Sequence, residues 1–304
     1  MTFQYDDDKL QLWLSTAIQA GITAGKKIKE AITQQKQIET KENNADLVTK
    51  TDQEVESFLF NLFETKFPDH LLIGEETSAK TGSIVGTLQD KPTWIIDPVD
   101  GTTNFVHGFP FCCVSIGLAV NKVPVYNPVL DQLFYAAKGQ GSFLCVNPTE
   151  STKIGDGVRL NGSPVALPTK LGQALILTEY GASKDPEYLE PKIEIIKRIM
   201  TNPIAGRGIR SLGTAALSMC TIAQGCGDIY YEAGPHAWDV CAGAIIVEEA
   251  GGITKNICLD TGSFDVLERT VLCVRGTVGQ PKQSTCPLIV ELEKLIIPMN
   301  YPRD

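Results

Sequence analysis

The fold class predicted from this chain is mixed α/β, built as alternating layers of helix and sheet. Between Leu71 and Ala137 the apolar segments are short, β-branched and bounded by Gly, Pro or Asn, as in a meander of strands. Amphipathic helical periods lie before and after that stretch, so helices are segregated from strands and a simple doubly wound sheet is disfavoured. With 304 residues and 33.0 kDa, the chain can bury one extended core or two closely packed halves.

Taken in order, Leu10, Trp13, Leu14, Ala17, Gly21, Ala24, Ile28 and Ile32 recur three or four apart and predict a first helix from Leu10 to Ile32. A second is expected from Asp52, a plausible cap, to Phe67, with Val55, Phe58, Leu59, Leu62 and Phe63 inward and Pro68 as its stop. Strands follow at Leu71 to Ile73, Thr93 to Ile96, Cys113 to Val120, Leu133 to Ala137 and Ala174 to Thr178. A helix from Pro186 to Met200 carries Leu189, Ile193, Ile196 and Met200 at helical spacing. Helices near Gly213 to Gln224 and Ala237 to Ala250 and strands at Asp228 to Glu232 and Leu272 to Val274 complete the pattern. The Pro-, Gly- and Asp-rich stretch from Asn147 to Asn161 divides an N-terminal half, residues 1–150, from a C-terminal half, residues 151–304. The residues after Gly276 give no clear pattern.

A net charge of -9 and a pI near 5.0 argue against nucleic acid or an anionic membrane as the partner. No apolar run approaches the ~20 residues of a membrane span. The polar N-terminus, with Asp6 to Asp8, is unlike a targeting peptide. The nine cysteines lack zinc-site spacing and read as reduced thiols, so a cytoplasmic location is the expectation.

The chemistry concentrates in WIIDPVDGTTNF, Trp94 to Phe105, where an apolar strand delivers Asp97 and Asp100 into a turn shaped by Pro98 and Gly101. Two carboxylates and the Val99 carbonyl aimed at one point outline a hard-cation site that suits magnesium or calcium. Gly101, Thr102 and Thr103 start a helical turn whose free NH groups could face a phosphate. On these residues alone, a capped turn with satisfied carboxylates is an equal reading. Glu75 follows the strand at Leu71 much as Asp97 ends its own, and Asp239 in EAGPHAWD opens a small-residue helix; singly, each reads as an ordinary surface or capping acid. Lys41, Asp46, Thr49 and Asp52 form a further polar group, which reads first as a loop and a capped helix. His236, without a Cys or His partner nearby, reads as structural. Walker, dinucleotide and serine-hydrolase motifs are absent.

Together, GEE at Gly74, WIIDPVDGTTNF at Trp94 and WDVCAGAIIVEEAGG at Trp238 resemble the inositol monophosphatase family in content, order and spacing. The resemblance extends through LVTKTDQEVE at Leu47, FPFCCVSIG at Phe109 and GIRSLGTAALSMC at Gly208. It implies a layered α/β/α/β/α sandwich of the sugar-phosphatase type and a lithium-inhibited homodimer that uses Mg2+ to hydrolyse inositol monophosphate, with attack of water on phosphorus and no phosphoenzyme. It further implies that Glu75, Asp97, the Val99 carbonyl, Asp100 and Asp239 hold the metal, with Asp97 bridging two ions. Gly101 and Thr102 would hold phosphate, Thr102 and Glu75 would orient the water, and Asp52 would support Thr102. Asp100, Ala215, Glu232 and Asp239 would meet the substrate, and Lys41 would lie near the metal loop. A related phosphatase of nucleotide 3'-phosphates or sugar bisphosphates, and a non-catalytic phosphate-binding protein, are the alternatives. One segment departs from the family: NKVPVYNPV, Asn121 to Val129, is shorter than usual, and its two prolines predict a clipped core strand with little ladder and a weakened fold.

Overall fold

The computed structural model describes residues 7–36, 38–40, 47–81, 91–119, 122–257, 264–280 and 286–304. Lys41 and Asp46 lie outside them.

The first helix, α1 (Asp7–Ala31), is followed by a small hairpin of β1 (Ile38–Thr40) and β2 (Leu47–Thr49), which runs directly into α2 (Lys50–Lys66). Next come β3 (Leu71–Gly74), the short α3 (Glu75–Thr81), β4 (Thr93–Asp100) and the short α4 (Thr102–His107). A meander of β5 (Cys113–Leu118), β6 (Lys122–Asn127), β7 (Gln132–Ala137), β8 (Gly141–Val146) and β9 (Val158–Leu160) completes a seven-stranded sheet in the order β3-β4-β5-β6-β7-β8-β9. The chain then forms β10 (Leu175–Thr178), α5 (Pro186–Met200), β11 (Gly208–Arg210), α6 (Ala215–Ala223), β12 (Ile229–Ala233), α7 (Ala237–Glu249), β13 (Ile253–Lys255), β14 (Thr270–Val274) and α8 (Pro287–Glu293). Its five strands form a second sheet in the order β11-β10-β12-β14-β13.

The period-2 alternation of the strands explains the layering. Along β5, Val114, Ile116 and Leu118 join Ile18, Ile22, Leu59 and Phe63 of α1 and α2, whereas Cys113 faces α6 and α7. In the second sheet Tyr230, Val271 and Cys273 face that same central pair, and Ile229, Tyr231, Leu272 and Val274 pack beneath α5 and α8. Helices α6 and α7 are covered on both sides, which is why they are apolar almost all round. The result is a five-layer α/β/α/β/α sandwich, as expected.

One expectation is corrected. The segment with two prolines forms more ladder than expected: β6 pairs with β7 along its whole length, from Lys122↔Ala137 to Asn127↔Gln132, including Pro124↔Tyr135. Proline lacks a donor on only one edge, and the cost appears on the other side, where β5 pairs at Val114, Ser115 and Leu118 but not at the two intervening residues. Pro128 falls beyond the strand, in a turn held by Asn127 Oδ1 accepting from the NH groups of Val129 and Leu130. The Pro186 to Met200 helix has the expected bounds. Ile195, Ile199 and Lys192 are buried, whereas Ile193 and Met200 are exposed. Two apolar stripes share this helix, and contact with the second sheet selects the narrower one.

Among the described residues no helix is long and apolar enough to cross a membrane. Their cysteines are all free thiols.

Candidate active site

Asp97 and Asp100 end β4 across a bulge: Asp97 lies opposite Ser115 and Asp100 opposite Cys113, so one extra residue is accommodated on the β4 side. The bulge re-aims the strand end, and Asp97 Oδ1 accepts the Val99 NH at 2.9 Å to fix the turn. Asp239 stands in the first turn of α7, where Oδ2 accepts the His236 NH at 2.7 Å. One carboxylate oxygen from each of Asp97, Asp100 and Asp239 lies within 4.8 Å of the others. Glu75 opens α3 immediately after β3, the parallel neighbour of β4, and is half-buried. Of the charges around Asp97, that of Glu75 acts on it most strongly.

The crowding sets the electrostatics. Burial, followed by Glu75, Asp100 and Asp239, raises the Asp97 pKa well above the usual carboxylate range. Asp100 is pushed up to about 8 by burial and by Asp239, although Thr214 Oγ1 and the Ala216 NH, at 2.8 Å, both donate to its Oδ2 and oppose the rise. Asp239 is raised by burial, and His236 pulls it back. At an effective dielectric of 20, two charges 4.8 Å apart repel by about 3.5 kcal/mol, and three such pairs approach the ~5–15 kcal/mol that stabilises a whole domain. Three bare anions are therefore untenable here without protons or a cation. Oxygen-only donors around a concentrated negative charge fit a hard divalent ion.

These shifts give a sign to the pH dependence of stability. The native pKa values lie above those of the unfolded chain, so the associated stability is complete below about pH 4 and is lost as pH rises through about 8. In the absence of divalent ions the melting temperature is expected to fall over that interval, and a saturating divalent cation to flatten the slope. A cation-free melting temperature that stays constant from pH 5 to 8 would contradict the crowding argument.

Around the cluster, Thr102 Oγ1 lies 3.2 Å from Asp52 Oδ1 and 3.1 Å from the Val99 carbonyl. Asp52 is not the cap of α2 but stands one turn inside it. Thr49 is the cap, and Asp52 Oδ2 accepts both its NH, at 3.0 Å, and its hydroxyl. Burial raises the Asp52 pKa to about 6. Gly101 precedes α4 with φ +87°. Ala215 begins α6 beside Asp100's partners, and Glu232, near the end of β12, accepts from the Tyr230 hydroxyl.

The structure thus brings Asp52, Glu75, Asp97, Val99, Asp100, Gly101, Thr102, Ala215 and Asp239 into one region, with Glu232 on the second sheet facing it. Sequence reasoning missed the residues that hold them. Thr214 caps α6 and binds Asp100; the pattern of a Thr before an apolar helix could have revealed it. Glu56, one turn after Asp52, accepts the Glu76 NH at 2.9 Å and the Thr77 hydroxyl at 2.6 Å and so anchors the start of α3. Glu179 follows β10 as Glu75 follows β3 and accepts the NH groups of Leu212, at 2.6 Å, and Gly213, at 3.0 Å. Asn104 Nδ2 joins the carbonyls of Phe111 and Leu212, each at 2.7 Å, which ties α4 to the loop before α6.

Five alternating layers with a carboxylate cluster where strand ends meet helix N-termini define a layered α/β protein with a site suited to hard cations. The model of the inositol monophosphatase family matches residues 9–294. The chain is 41% identical over 269 residues to inositol monophosphatase 1 of Bos taurus, covering 87% of this chain and 90% of that protein. It is 42% identical over 248 residues to an inositol monophosphatase of Mesembryanthemum crystallinum, covering 79% and 84%. The crystal structure of extragenic suppressor protein suhB from Bartonella henselae superimposes with a TM-score of 0.71 at 27% identity, over 92% of this chain and 96% of that one. Inositol monophosphatase from Anabaena gives 0.70 at 25% identity, over 94% and 96%. This chain belongs to the inositol monophosphatase family.

Proposed function

We propose that the chain is a magnesium-dependent phosphatase that hydrolyses myo-inositol monophosphate to inositol and phosphate. The observation that carries this reading is the convergence of Asp97, Asp100 and Asp239 within 4.8 Å, in a member of this family. Glu75, Asp97, the Val99 carbonyl, Asp100 and Asp239 would hold the metal. When bound there, magnesium would supply positive charge against the phosphate oxygens and acidify water. The N-terminal half, residues 1–150, contributes Glu75, Asp97 and Asp100, and the C-terminal half, residues 151–304, contributes Asp239 and Glu232.

The chain's own groups orient the reaction. The backbone at Gly101 and Thr102 receives the phosphate. Thr102 holds the attacking water with Glu75, and Asp52 fixes the Thr102 rotamer so that an Oγ1 lone pair remains free for the water. Asp100, Ala215, Glu232 and Asp239 meet the hydroxyls of the polyol. We extend the proposal to a cytoplasmic, lithium-sensitive homodimer.

Phosphate release from inositol 1-phosphate, fructose bisphosphate and a nucleotide 3'-phosphate, each with and without Mg2+, tests the reading. The inositol ester is expected to be preferred and its turnover to require Mg2+. Mg2+-independent release, or a cooperatively folded protein with no turnover of the inositol ester, would overturn it.

A further inference from the structure

The carboxylate of Asp239 does two jobs: it belongs to the acidic cluster, and through one oxygen it accepts the His236 NH that precedes α7. A helix N-terminus leaves several NH groups without partners, and this one is buried. The next NH, that of Ala237, is taken at 2.8 Å by Oδ2 of Asp304, 67 residues away in sequence. Oδ1 of the same carboxylate lies 2.7 Å from His236 Nδ1. A carboxylate oxygen is an acceptor, so the tautomer with its proton on Nδ1 completes this contact, which holds the imidazole in one orientation. The ring is also stacked on Trp238, with centroids 4.5 Å apart, and the Trp238 carbonyl accepts from Ser115 Oγ of β5.

Asp304 is itself fixed. Its side chain is 6% exposed, its NH donates to the Leu267 carbonyl at 3.1 Å, and Arg269 Nε lies 3.8 Å from its Oδ1. Arg269 also donates to the carbonyls of Gly234, at 2.5 Å, and Pro235, at 3.4 Å, and so holds the loop that leads into His236. Tyr301 lies over Gly234 and stacks on Tyr188, with centroids 4.3 Å apart.

We infer that Asp304 is a positioning residue for the cation site: by capping Ala237 and clamping His236, it frees the carboxylate of Asp239 to face Asp97 and Asp100. The inference rests on Asp239 being a cation ligand. Without Asp304, the Ala237 NH is left as a buried donor two residues before Asp239, whose carboxylate already accepts the adjacent His236 NH. An Asp in the first turn of a helix is a good partner for free NH groups, so it turns toward the helix and away from the cluster.

The test is calorimetric titration of Mg2+ into metal-free Asp304→Ala, Asp304→Asn, Asp239→Asn, Arg303→Ala and parent proteins, with a thermal melt of each. Partners that orient a ligand typically account for 10–100-fold in metal affinity. Asp304→Ala is expected to weaken Mg2+ binding by about tenfold or more. Asp304→Asn, which keeps the shape but not the charge, should lie between it and the parent, and it carries the test if the alanine variant does not fold. Arg303 pairs with Asp265 and Glu268 at an exposed position next in sequence, and Arg303→Ala is expected to bind Mg2+ as the parent does. Parent-like isotherms for both Asp304 variants, or an equal loss in Arg303→Ala, overturn the inference while leaving the proposed function in place. A parent-like isotherm for Asp239→Asn overturns the ligand role of Asp239 and the inference with it.

Discussion

Asp97→Asn is expected to lower Mg2+-dependent phosphate release by roughly a thousandfold or more, without destabilising the metal-free fold. The substitution is nearly isosteric, and the amide oxygen can still accept the Val99 NH that fixes the turn after β4. What it removes is the charge at the centre of the cluster, where Glu75, Asp100 and Asp239 all act on Asp97. In the proposed cation site, that charge is what would attract the ions. Without cations it is a liability, since burial and three neighbouring carboxylates all oppose its ionisation. The two effects separate in experiment. At pH 8 the metal-free variant should melt at or above the temperature of the parent, because a group whose native pKa is raised costs stability once ionised. Added Mg2+ should raise the parent's melting temperature and leave the variant's nearly unchanged. Activity within tenfold of the parent would show that Asp97 is not central; a variant that melts lower without metal would show that the carboxylate serves the fold and not the cation.

How far the sequence reveals this site depends on how each residue is held. Asp97 and Asp100 could be recognised because local signals, an apolar strand followed by Pro and Gly, place them at a strand end. Asp239 alone reads as an ordinary capping acid, and only the family resemblance singled it out. The alternation of helix and sheet layers was also legible, since strand alternation and helical spacing are local, whereas the count of five came from the resemblance. The supports were not. Glu56 reaches twenty residues ahead to the NH of Glu76, Thr214 caps α6 while binding Asp100, and Asp304 reaches back to His236 and Ala237. In each case the role is defined by a distant partner, and a carboxylate on a helix or in a patternless tail looks the same whether it faces water or a buried NH. The Pro124 strand misled, and the spacing in α5 left its buried stripe undecided, for a related reason. Local rules described what one edge or one stripe could do, and the contacts on the other side decided the outcome.

Gly101→Ala is the second large effect expected, and it tests whether the turn holding the cluster is a rigid unit. Gly101 has φ +87°, a conformation that costs an L residue about 1–2 kcal/mol. A methyl group there would stand 2.9 Å from the Phe111 carbonyl oxygen and 3.1 Å from that of Gly213. Both obstacles are backbone atoms, so relief requires moving the start of β5, the loop before α6, or α4 itself. That loop is held by Glu179 and Asn104 and ends at Thr214, the partner of Asp100. Strain at Gly101 therefore reaches both walls of the site. The variant is expected to lose about 3 kcal/mol or more of stability, and a shift of ~1 Å in the reacting groups is enough to lower turnover about a hundredfold. Gly108 at the other end of α4 provides the control: its φ is +69°, but nothing lies within 4 Å of an added methyl group. Gly108→Ala bears the conformational cost alone, so about 1–2 kcal/mol and little change in turnover are expected. Equal losses in the two variants, measured by denaturant melts and turnover, would reduce Gly101 to a matter of backbone conformation. A much larger loss at Gly101 would mean that the close approach of β5, α4 and the loop before α6 is itself what keeps Asp100 and Thr102 in register.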